Sequence, residues 1–403
     1  MGARYQSPPP PASRTDARLT AFWALLTVAA LGYVAAFGHD FPWADEWEFV
    51  PALFGHEPVG PWLWTQHNEH RLPLPRAIYW LLFQITHDFR AGMVLQVALL
   101  SAVALRLIRF ARRERGHAAW PDALFPALLL NWGHAENFLM GYQLCFALVA
   151  ALTVELFLAA RTRRFGRILP LTLLLELCGG AGLVFVPIVL AWRVAVGSWV
   201  ERASWLLPLA YLGVYFVDYA RPPHHPPPSD PLLAVAVAAQ VLAMGVGYAA
   251  AWVWPAVAVA LLALGVATLR YAPSLGERFV IVAGGAVACA VGVGRSGFGN
   301  FEMGLWSRYG LLTAPLLAMA YLTFAGRLRV QQGIAGVVLV LLPFNTAVGI
   351  GWGVTLDRTL SPIVAAHRAG VDPAEIVREH LTGSGQEERA LRGLPMLKAS
   401  RKR

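Results

Sequence analysis

The sequence predicts an all-α polytopic membrane protein, and three observations carry that prediction. Hydrophobic residues make up 57% of the 403 positions and charged residues only 14%. The mean hydropathy is +0.52, far above that of an ordinary soluble chain. Apolar runs recur along the chain with short basic segments between them. A soluble core cannot bury so much apolar surface, so we expect a transmembrane helical bundle.

A helix needs about 20 apolar residues to cross the hydrocarbon, and tilt allows some variation. On that template we expect about eleven spans. They are predicted at Ala21–Gly38, Gly92–Phe110, Pro121–Trp132, Gly141–Ala160, Ile168–Trp192, Trp205–Tyr219, Pro231–Ala251, Trp254–Leu269, Phe279–Gly294, Leu311–Ala325 and Ile334–Ile350. Gly179 and Gly180 leave open a break of the fifth run into a re-entrant pair.

Arginines predict the orientation, because short cytoplasmic loops of membrane proteins are enriched in basic residues. They cluster in the N-terminal tail and in the loops that follow the second, fourth and tenth spans, at Arg4, Arg14, Arg18, Arg109, Arg112, Arg113, Arg115, Arg161, Arg163, Arg164, Arg167, Arg327 and Arg329. All of these loops share one side if every span crosses. We therefore expect a multi-pass protein of a bacterial cytoplasmic membrane with its N-terminus in the cytoplasm.

Three regions are predicted: a disordered cytoplasmic tail at 1–20, a transmembrane domain at 21–351 and a soluble tail at 352–403. The first outer loop, 39–91, carries an interfacial helix at Leu74–Phe89. In the C-terminal tail, "VDPAEIVREHL" predicts a helix that begins after Asp372 as N-cap, with Pro373 in its first turn. The proline-rich runs "SPPPPAS" and "RPPHHPPPSD" predict solvated connectors, with His224 and His225 free of ligands.

The first outer loop is the main candidate for chemistry, because long structured loops tend to carry function. It contains "HDFPWADEWEF" and "WTQHNEHRLPLPR". These segments supply a base candidate in the adjacent pair Asp45 and Glu46, together with possible metal ligands and guanidinium groups for phosphate in one patch. The candidate binding residues are His67, Glu69, His70, Arg71 and Arg76. The alternative is an interfacial tryptophan belt with solvated charges.

Two further segments lie on the same predicted side. "RSGFGNFEMGLWSRYG" contributes Glu302, Arg308 and Tyr309, either to substrate binding or as an interfacial anchor in which Glu302 pairs with Arg308. "NWGHAENF" contributes His134 and Glu136, which could complete the site or hold a divalent cation with His67 or Glu69; no other cofactor is expected. Glu176, within an apolar run, either lines a lipid-phosphate groove or is a protonated core residue.

The acidic motif in "ADEWE" just after the first span, the long first outer loop and the further spans resemble the GT-C superfamily of membrane glycosyltransferases, such as the protein O-mannosyltransferases and the lipid A aminoarabinose transferases. The resemblance implies a polyprenyl-phosphate sugar donor, a glycan, lipid or protein acceptor on the outer face, and an acidic base. By the resemblance Asp45 is the first choice for the base and Glu46 the second, and Arg71 is the first candidate for the phosphate. Membrane lipids are expected partners and nucleic acid is not. A transporter or flippase of lipid-linked glycans is the alternative, and a non-catalytic scaffold is disfavoured.

Overall fold

The computed structural model describes residues 13–228 and 230–400, and within those residues it is 78% helical with no β-strand. This confirms the all-α class. In the first half the α-helices are α1 Arg14–Phe37, α2 Val50–Leu53, α3 Val59–Trp64, α4 Pro73–Thr86, α5 Arg90–Arg115, α6 Leu124–Leu129, α7 Ala135–Phe138, α8 Leu144–Arg161, α9 Ile168–Glu176, α10 Gly180–Leu183 and α11 Phe185–Val196.

The second half continues with α12 Trp199–Ser204, α13 Leu206–Tyr215, α14 Pro231–Ala243, α15 Trp254–Tyr271, α16 Leu275–Ser296, α17 Gly310–Thr323, α18 Leu328–Arg368, α19 Pro373–His380 and α20 Glu387–Ser400. Short 3₁₀ turns join many of these helices, at Ala44–Glu48, Trp120–Ala123, Trp132–His134, Gly141–Gln143, Phe165–Arg167, Met244–Val246, Tyr248–Val253 and Ser307–Tyr309.

Within the described residues, six helices are long and apolar enough to cross a membrane: Arg14–Phe37, Arg90–Arg115, Gly141–Arg161, Tyr248–Tyr271, Leu275–Ser296 and Leu328–Arg368. Each coincides with a predicted span. The predicted total of about eleven is not confirmed. The predicted interfacial segment of the first loop forms α4, a helix of 14 residues.

Several predicted spans are broken. The run at 121–132 forms only the six-residue α6 between 3₁₀ turns. The run at 168–192 breaks at Gly179, whose φ of +102° is a conformation that favours glycine. The start of α9 and the end of α11 lie side by side, because Arg193 on α11 stacks on Phe165 just before α9. This segment is therefore a helical hairpin, which was the alternative left open by the two glycines.

One end of the bundle is fixed by ion pairs between helix termini, and we call it the basic end. Arg112 on α5 lies 3.2 Å from Asp16 on α1. Arg161 at the end of α8 pairs with Glu114 at 2.8 Å and with Glu277 at the start of α16 at 2.7 Å. Arg112 and Arg161, two of the arginines predicted to share one side, thus lie at the same end.

The opposite end, the loop end, gathers the loops that carry the candidate residues. Here the backbone N–H of Phe89 donates to Asp40 at 3.0 Å, which joins the end of α1 to the start of α5. His39 lies 3.1 Å from Asp357 on α18. α18 has 41 residues, about 60 Å, so it extends well beyond a hydrocarbon core of about 30 Å. It continues unbroken through position 352, where the soluble tail was predicted to begin.

Both termini add structure that the sequence did not fully predict. α1 begins at Arg14, with Ser13 and Asp16 forming a capping box, so residues 14–20 are helical. The rest of the N-terminal tail, including most of its proline run, lies outside the described residues. The predicted C-terminal helix is confirmed as α19, in which Asp372 caps the N–H of Ala374 at 2.9 Å.

Candidate functional site

The first element of the site is the turn Ala44–Glu48, which we call the acidic turn. It follows α1 directly, where Gly38 ends the helix. Ala44 has a φ of +51°, a left-handed conformation that costs an alanine about 1–2 kcal/mol. Its backbone N–H donates to Gln386 Oε1 at 2.8 Å. A strained residue held by a distant contact is typical of functional turns.

Glu46 anchors the acidic turn to the protein interior, where it is fully buried. Its Oε1 accepts hydrogen bonds from Tyr79 Oη at 3.1 Å and from the Tyr142 N–H at 3.2 Å. Its Oε2 accepts one from the Trp43 N–H at 3.2 Å. Burial raises the pKa of Glu46 to about 7, against the effect of these hydrogen bonds. The carboxyl group is enclosed by its own partners.

Asp45, its neighbour in sequence, faces the other way, and its side chain is 24% exposed. Oδ1 lies 3.8 Å from His67 Nε2 and 3.4 Å from Arg389 Nη1. Burial alone would raise the pKa of Asp45, but the positive charges of His67, Arg308 and Arg389 outweigh it and hold the pKa at about 2. Asp45 is therefore an ionised carboxylate that solvent can reach.

His67 lies between two carboxylates of the acidic turn. Its Nδ1 is in very close contact with Glu48, and its Nε2 faces Asp45. Burial lowers the affinity of this ring for a proton, but the two carboxylates outweigh burial and raise the pKa of His67 to about 9. The ring is held by a tight turn in which His67 and His70 exchange backbone hydrogen bonds of 2.7 and 2.8 Å. The two carboxylates therefore favour the protonated, cationic form of the ring at neutral pH.

Arg389 on α20 was not identified from the sequence. Its Nη2 lies 2.9 Å from Glu48 Oε1, and its Nη1 contacts Asp45 as described. α20 packs closely on the acidic turn, since a Cβ added at Gly393 would lie 2.8 Å from the Trp47 ring. The C-terminal segment therefore forms one wall of the site. No local pattern in the sequence links this helix to a loop 344 positions away.

The second element is the Ser307–Tyr309 turn at the start of α17. Glu136 holds it, because Glu136 Oε2 accepts hydrogen bonds from Ser307 Oγ at 3.0 Å and from the Arg308 N–H at 3.1 Å. The Arg308 guanidinium lies 3.9 Å from the Trp306 ring centroid, and its Nη1 is 3.8 Å from Glu136 Oε1. The carboxylate beside Arg308 is thus Glu136. Glu302, the partner considered from the sequence, is exposed.

Glu69 lies in a second cluster beside the acidic turn. It is 2.6 Å from Arg295 Nη2 and 2.8 Å from His225 Nδ1. Arg295 Nε also donates to Tyr309 Oη at 2.9 Å, which joins this cluster to the Ser307–Tyr309 turn. The prediction that His225 lies in a solvated connector was wrong, because this side chain is 8% exposed and pairs with Glu69; the prediction that it binds no ligand is not tested. His70 Nε2 lies 3.6 Å from Glu69, and burial lowers the pKa of His70 to about 4.

Two arginines expected to bind phosphate are occupied by protein carbonyls. Arg71 donates to the carbonyls of Trp64, Tyr215 and Val217 at 2.7–2.9 Å and is 5% exposed. Arg76 is 1% exposed and donates to the carbonyls of Trp62 and Thr65 at 2.6 Å. Arg71 therefore ties the first loop to the end of α13, whereas Arg76 ties α4 to the α3 segment within that loop.

The remaining candidates lie deeper in the bundle. His134 is fully buried, with Nε2 3.1 Å from the Leu128 carbonyl oxygen. Glu176 is also fully buried at the tip of the α9–α11 hairpin, and neither carboxyl oxygen has a hydrogen-bond partner. Within residues 13–228 and 230–400, no group of three or more His, Cys, Asp or Glu side chains has an arrangement suited to a metal ion. The hypothesis of a divalent cation stays untested.

The loop end therefore brings together an exposed carboxylate at Asp45, a cation at Arg308 and a further cation at Arg389. Each of these three groups comes from a different part of the chain. Comparison of the chain with protein-family models, with curated proteins and with solved structures finds no match.

Proposed function

We propose that this protein is a membrane glycosyltransferase of GT-C type, which transfers a sugar with inversion from a polyprenyl-phosphate donor to an acceptor at the outer face of a bacterial cytoplasmic membrane. One observation carries the proposal: the partly exposed Asp45 carboxylate has cationic neighbours, with Arg389 Nη1 at 3.4 Å and the charge of Arg308 lowering the pKa of that carboxyl. A base beside a phosphate-binding cation is what this reaction needs.

The reaction is a single displacement at the anomeric carbon. The acceptor oxygen forms a bond to that carbon from one face while the bond to the phosphate oxygen breaks on the other, which inverts the configuration. Both electrons of the breaking bond go to the phosphate. The acceptor proton passes to the Asp45 carboxylate. A lipid phosphate is stable as an anion, so no strong acid is needed for the leaving group, and one carboxylate suffices.

Arg308 is the residue we assign to the growing charge of the leaving phosphate. Its guanidinium offers donors in a planar fork that matches phosphate oxygens. The Nη1–Oε1 distance of 3.8 Å to Glu136 is beyond hydrogen-bond range, so Glu136 does not occupy that donor, and Trp306, Tyr309 and Glu136 orient the fork. Arg71, by contrast, has its donors on backbone carbonyls, and Arg76 is only 1% exposed, so a ligand does not reach it.

The burial of Glu46 favours Asp45 as the base. A base must come within hydrogen-bond reach of the acceptor hydroxyl. Glu46 is enclosed by Trp43, Tyr79 and Tyr142. Its role in this proposal is to fix the acidic turn so that Asp45 faces the open side.

The outward orientation rests on the charge asymmetry between the two ends. Arg112 and Arg161 belong to the basic end, and the positive-inside tendency assigns that end to the cytoplasm. The loop end then faces outward. This is the side on which the resemblance to GT-C enzymes expects the acidic residue after the first span and the acceptor, whether glycan, lipid or protein.

A lipid-linked glycan transporter is the second candidate, and Glu176 is the observation that favours it. An unpartnered buried carboxyl at the tip of a helical hairpin is the kind of group a carrier uses along its path. Apart from Glu176, however, the charged groups discussed above among the described residues lie at the two ends of the bundle. That distribution suits chemistry at the membrane edge better than passage through the bundle.

One experiment separates the two functions. The purified protein is reconstituted into liposomes with a prenyl-phosphate donor that carries a radiolabelled sugar, together with a detergent extract of bacterial envelope as acceptor source. A glycosyltransferase moves the label into a product that resists the mild acid that cleaves the sugar–phosphate bond. A carrier instead moves intact donor between leaflets, and that result without any transfer would contradict the proposal.

A further inference from the structure

The C-terminal helix α20 is built into the site at three points. Gln386, just before the helix, accepts the backbone N–H of the strained Ala44. Arg389 reaches both Asp45 and Glu48. Gly393 gives the close approach to Trp47 that a larger residue would prevent. These contacts join the last part of the chain to the residue that we assign as the base.

The arginines at the loop end differ in how their donors are used. Those of Arg71 are directed to backbone carbonyls, and Arg76 is buried, with its Nη1 on two carbonyls. Arg295 donates to Tyr309 and pairs with Glu69 at 2.6 Å. Arg389 makes one contact of 2.9 Å and one of 3.4 Å, and 29% of its side chain is exposed. A guanidinium has five N–H donors, so Arg389 keeps donors for a ligand.

Arg308 and Arg389 also act on the same carboxylate. Both contribute positive charge that holds the pKa of Asp45 low against the effect of burial. They come from separate elements: α20 packs on the acidic turn, and Arg308, from the Ser307–Tyr309 turn, acts on Asp45 through its charge. An anion that enters beside Asp45 therefore meets two guanidinium groups.

We propose that Arg389 is a second ligand of the donor phosphate, and that it exchanges its contact with Asp45 for one with the phosphate when the donor binds. The inference rests on the proposed function and extends it to the C-terminal helix. Arg308 and Arg389 then hold the phosphate between them. Glu48 keeps Arg389 in place during the exchange, because the 2.9 Å contact to Glu48 is shorter than the 3.4 Å contact to Asp45.

The exchange has a chemical consequence for the base. While Arg389 faces Asp45, its charge makes the carboxylate a poor proton acceptor. Once Arg389 turns to the phosphate, Asp45 loses one of its cationic neighbours and its affinity for a proton rises. A base works best when its pKa is near the working pH. Donor binding thus prepares the carboxylate for the acceptor hydroxyl.

Binding of farnesyl phosphate to the full-length protein in detergent tests this assignment, with farnesol as the uncharged probe of the same chain length. Arg389→Ala should weaken farnesyl phosphate binding by about 10- to 100-fold, the loss expected for a charge-assisted contact, and leave farnesol binding unchanged. Arg389→Lys should recover only part, because an ammonium lacks the fork. Arg392→Ala is the matched control, since Arg392 is exposed on the same helix.

The outcomes distinguish a failure of the role assigned to Arg389 from a failure of the proposed function. If the wild type binds farnesyl phosphate and Arg389→Ala binds it equally well, the role of Arg389 is overturned while the proposed function stands. If the wild type binds farnesyl phosphate no better than farnesol, the proposed function itself fails. Arg389→Gln keeps donors for Glu48 without the charge, and it carries the test if the alanine variant does not fold.

Discussion

Arg389 Nη1 lies 3.4 Å from Asp45 Oδ1, although the two residues are 344 positions apart in the chain. The contact joins the start of the first outer loop to the C-terminal helix. With it, Arg389, Asp45, His67 and Glu48 form a closed ring of alternating charge. In this ring the two nitrogens of His67 face Asp45 and Glu48. The catalytic carboxylate that we propose is thereby held on both sides by cations.

The stability of the protein should depend on the proton of His67. Its pKa of about 9 lies above the ordinary value of 6.5, so the stabilisation is complete below about pH 6.5 and is lost as the pH rises through 9. We expect the Tm of the wild type to fall by a few degrees, in order of magnitude, between pH 7 and pH 9.5.

The Tm of His67→Gln should not show this fall when it is measured by differential scanning fluorimetry across the same pH range. His117→Gln is the control, because His117 is exposed and remote from the acidic turn. An equal fall in Tm for His67→Gln and the wild type would show that the imidazole is not held as a cation.

Arg71 and Arg308 should differ in what they support. Arg71→Ala leaves the carbonyls of Trp64, Tyr215 and Val217 without their donor, so it should lower the Tm with little effect on the donor KM. Arg308→Ala should raise the donor KM about tenfold or more and leave the Tm near wild type, because Glu136 keeps its bonds to Ser307 and the backbone.

Arg308→Lys should restore part of the donor affinity, because it keeps the charge but not the fork. Steady-state kinetics at varied donor concentration, together with thermal melts, measures both effects. If the donor KM rose in Arg71→Ala and not in Arg308→Ala, the phosphate-binding role would belong to Arg71.

The orientation can be tested by cysteine labelling in intact spheroplasts. Thr65→Cys and Asn300→Cys lie at exposed positions of the loop end and should react with a membrane-impermeant maleimide. Arg164→Cys and Arg329→Cys are exposed on predicted cytoplasmic loops and should react only after permeabilisation. The exposed Cys289 is replaced by alanine in all variants. Labelling of the second pair from outside would place the proposed site in the cytoplasm.

The sequence predicted what local chemistry determines. Asp372 and Pro373 predicted the start of α19, because helix capping is determined by residues within one turn. The Gly179–Gly180 pair left the hairpin break open as an alternative. The roles of Asp45 and Glu46 could only be ranked, because two adjacent carboxylates look alike until their surroundings are known. Burial against Tyr79 and Tyr142 separates them.

Other features depend on contacts between distant segments. Arg389 reaches the acidic turn through the path of α18 and α19, and no periodicity reveals that path. His225 was assigned to a solvated connector because proline runs seldom pack, yet Glu69 pairs with it. The predicted number of spans is not confirmed, because apolar composition does not distinguish a crossing helix from a short or re-entrant one.

The central claim is that Asp45 is the general base, and the rate of sugar transfer by Asp45→Asn tests it most directly. Asparagine preserves size and hydrogen bonding but cannot accept the proton. With Tm and donor binding matched to the wild type, we expect the rate from a labelled polyprenyl-phosphate donor to fall about 100- to 10,000-fold. Glu46→Gln, which perturbs the buried anchor, should instead lower the Tm and retain more activity. Transfer by Asp45→Asn at the wild-type rate would contradict the account.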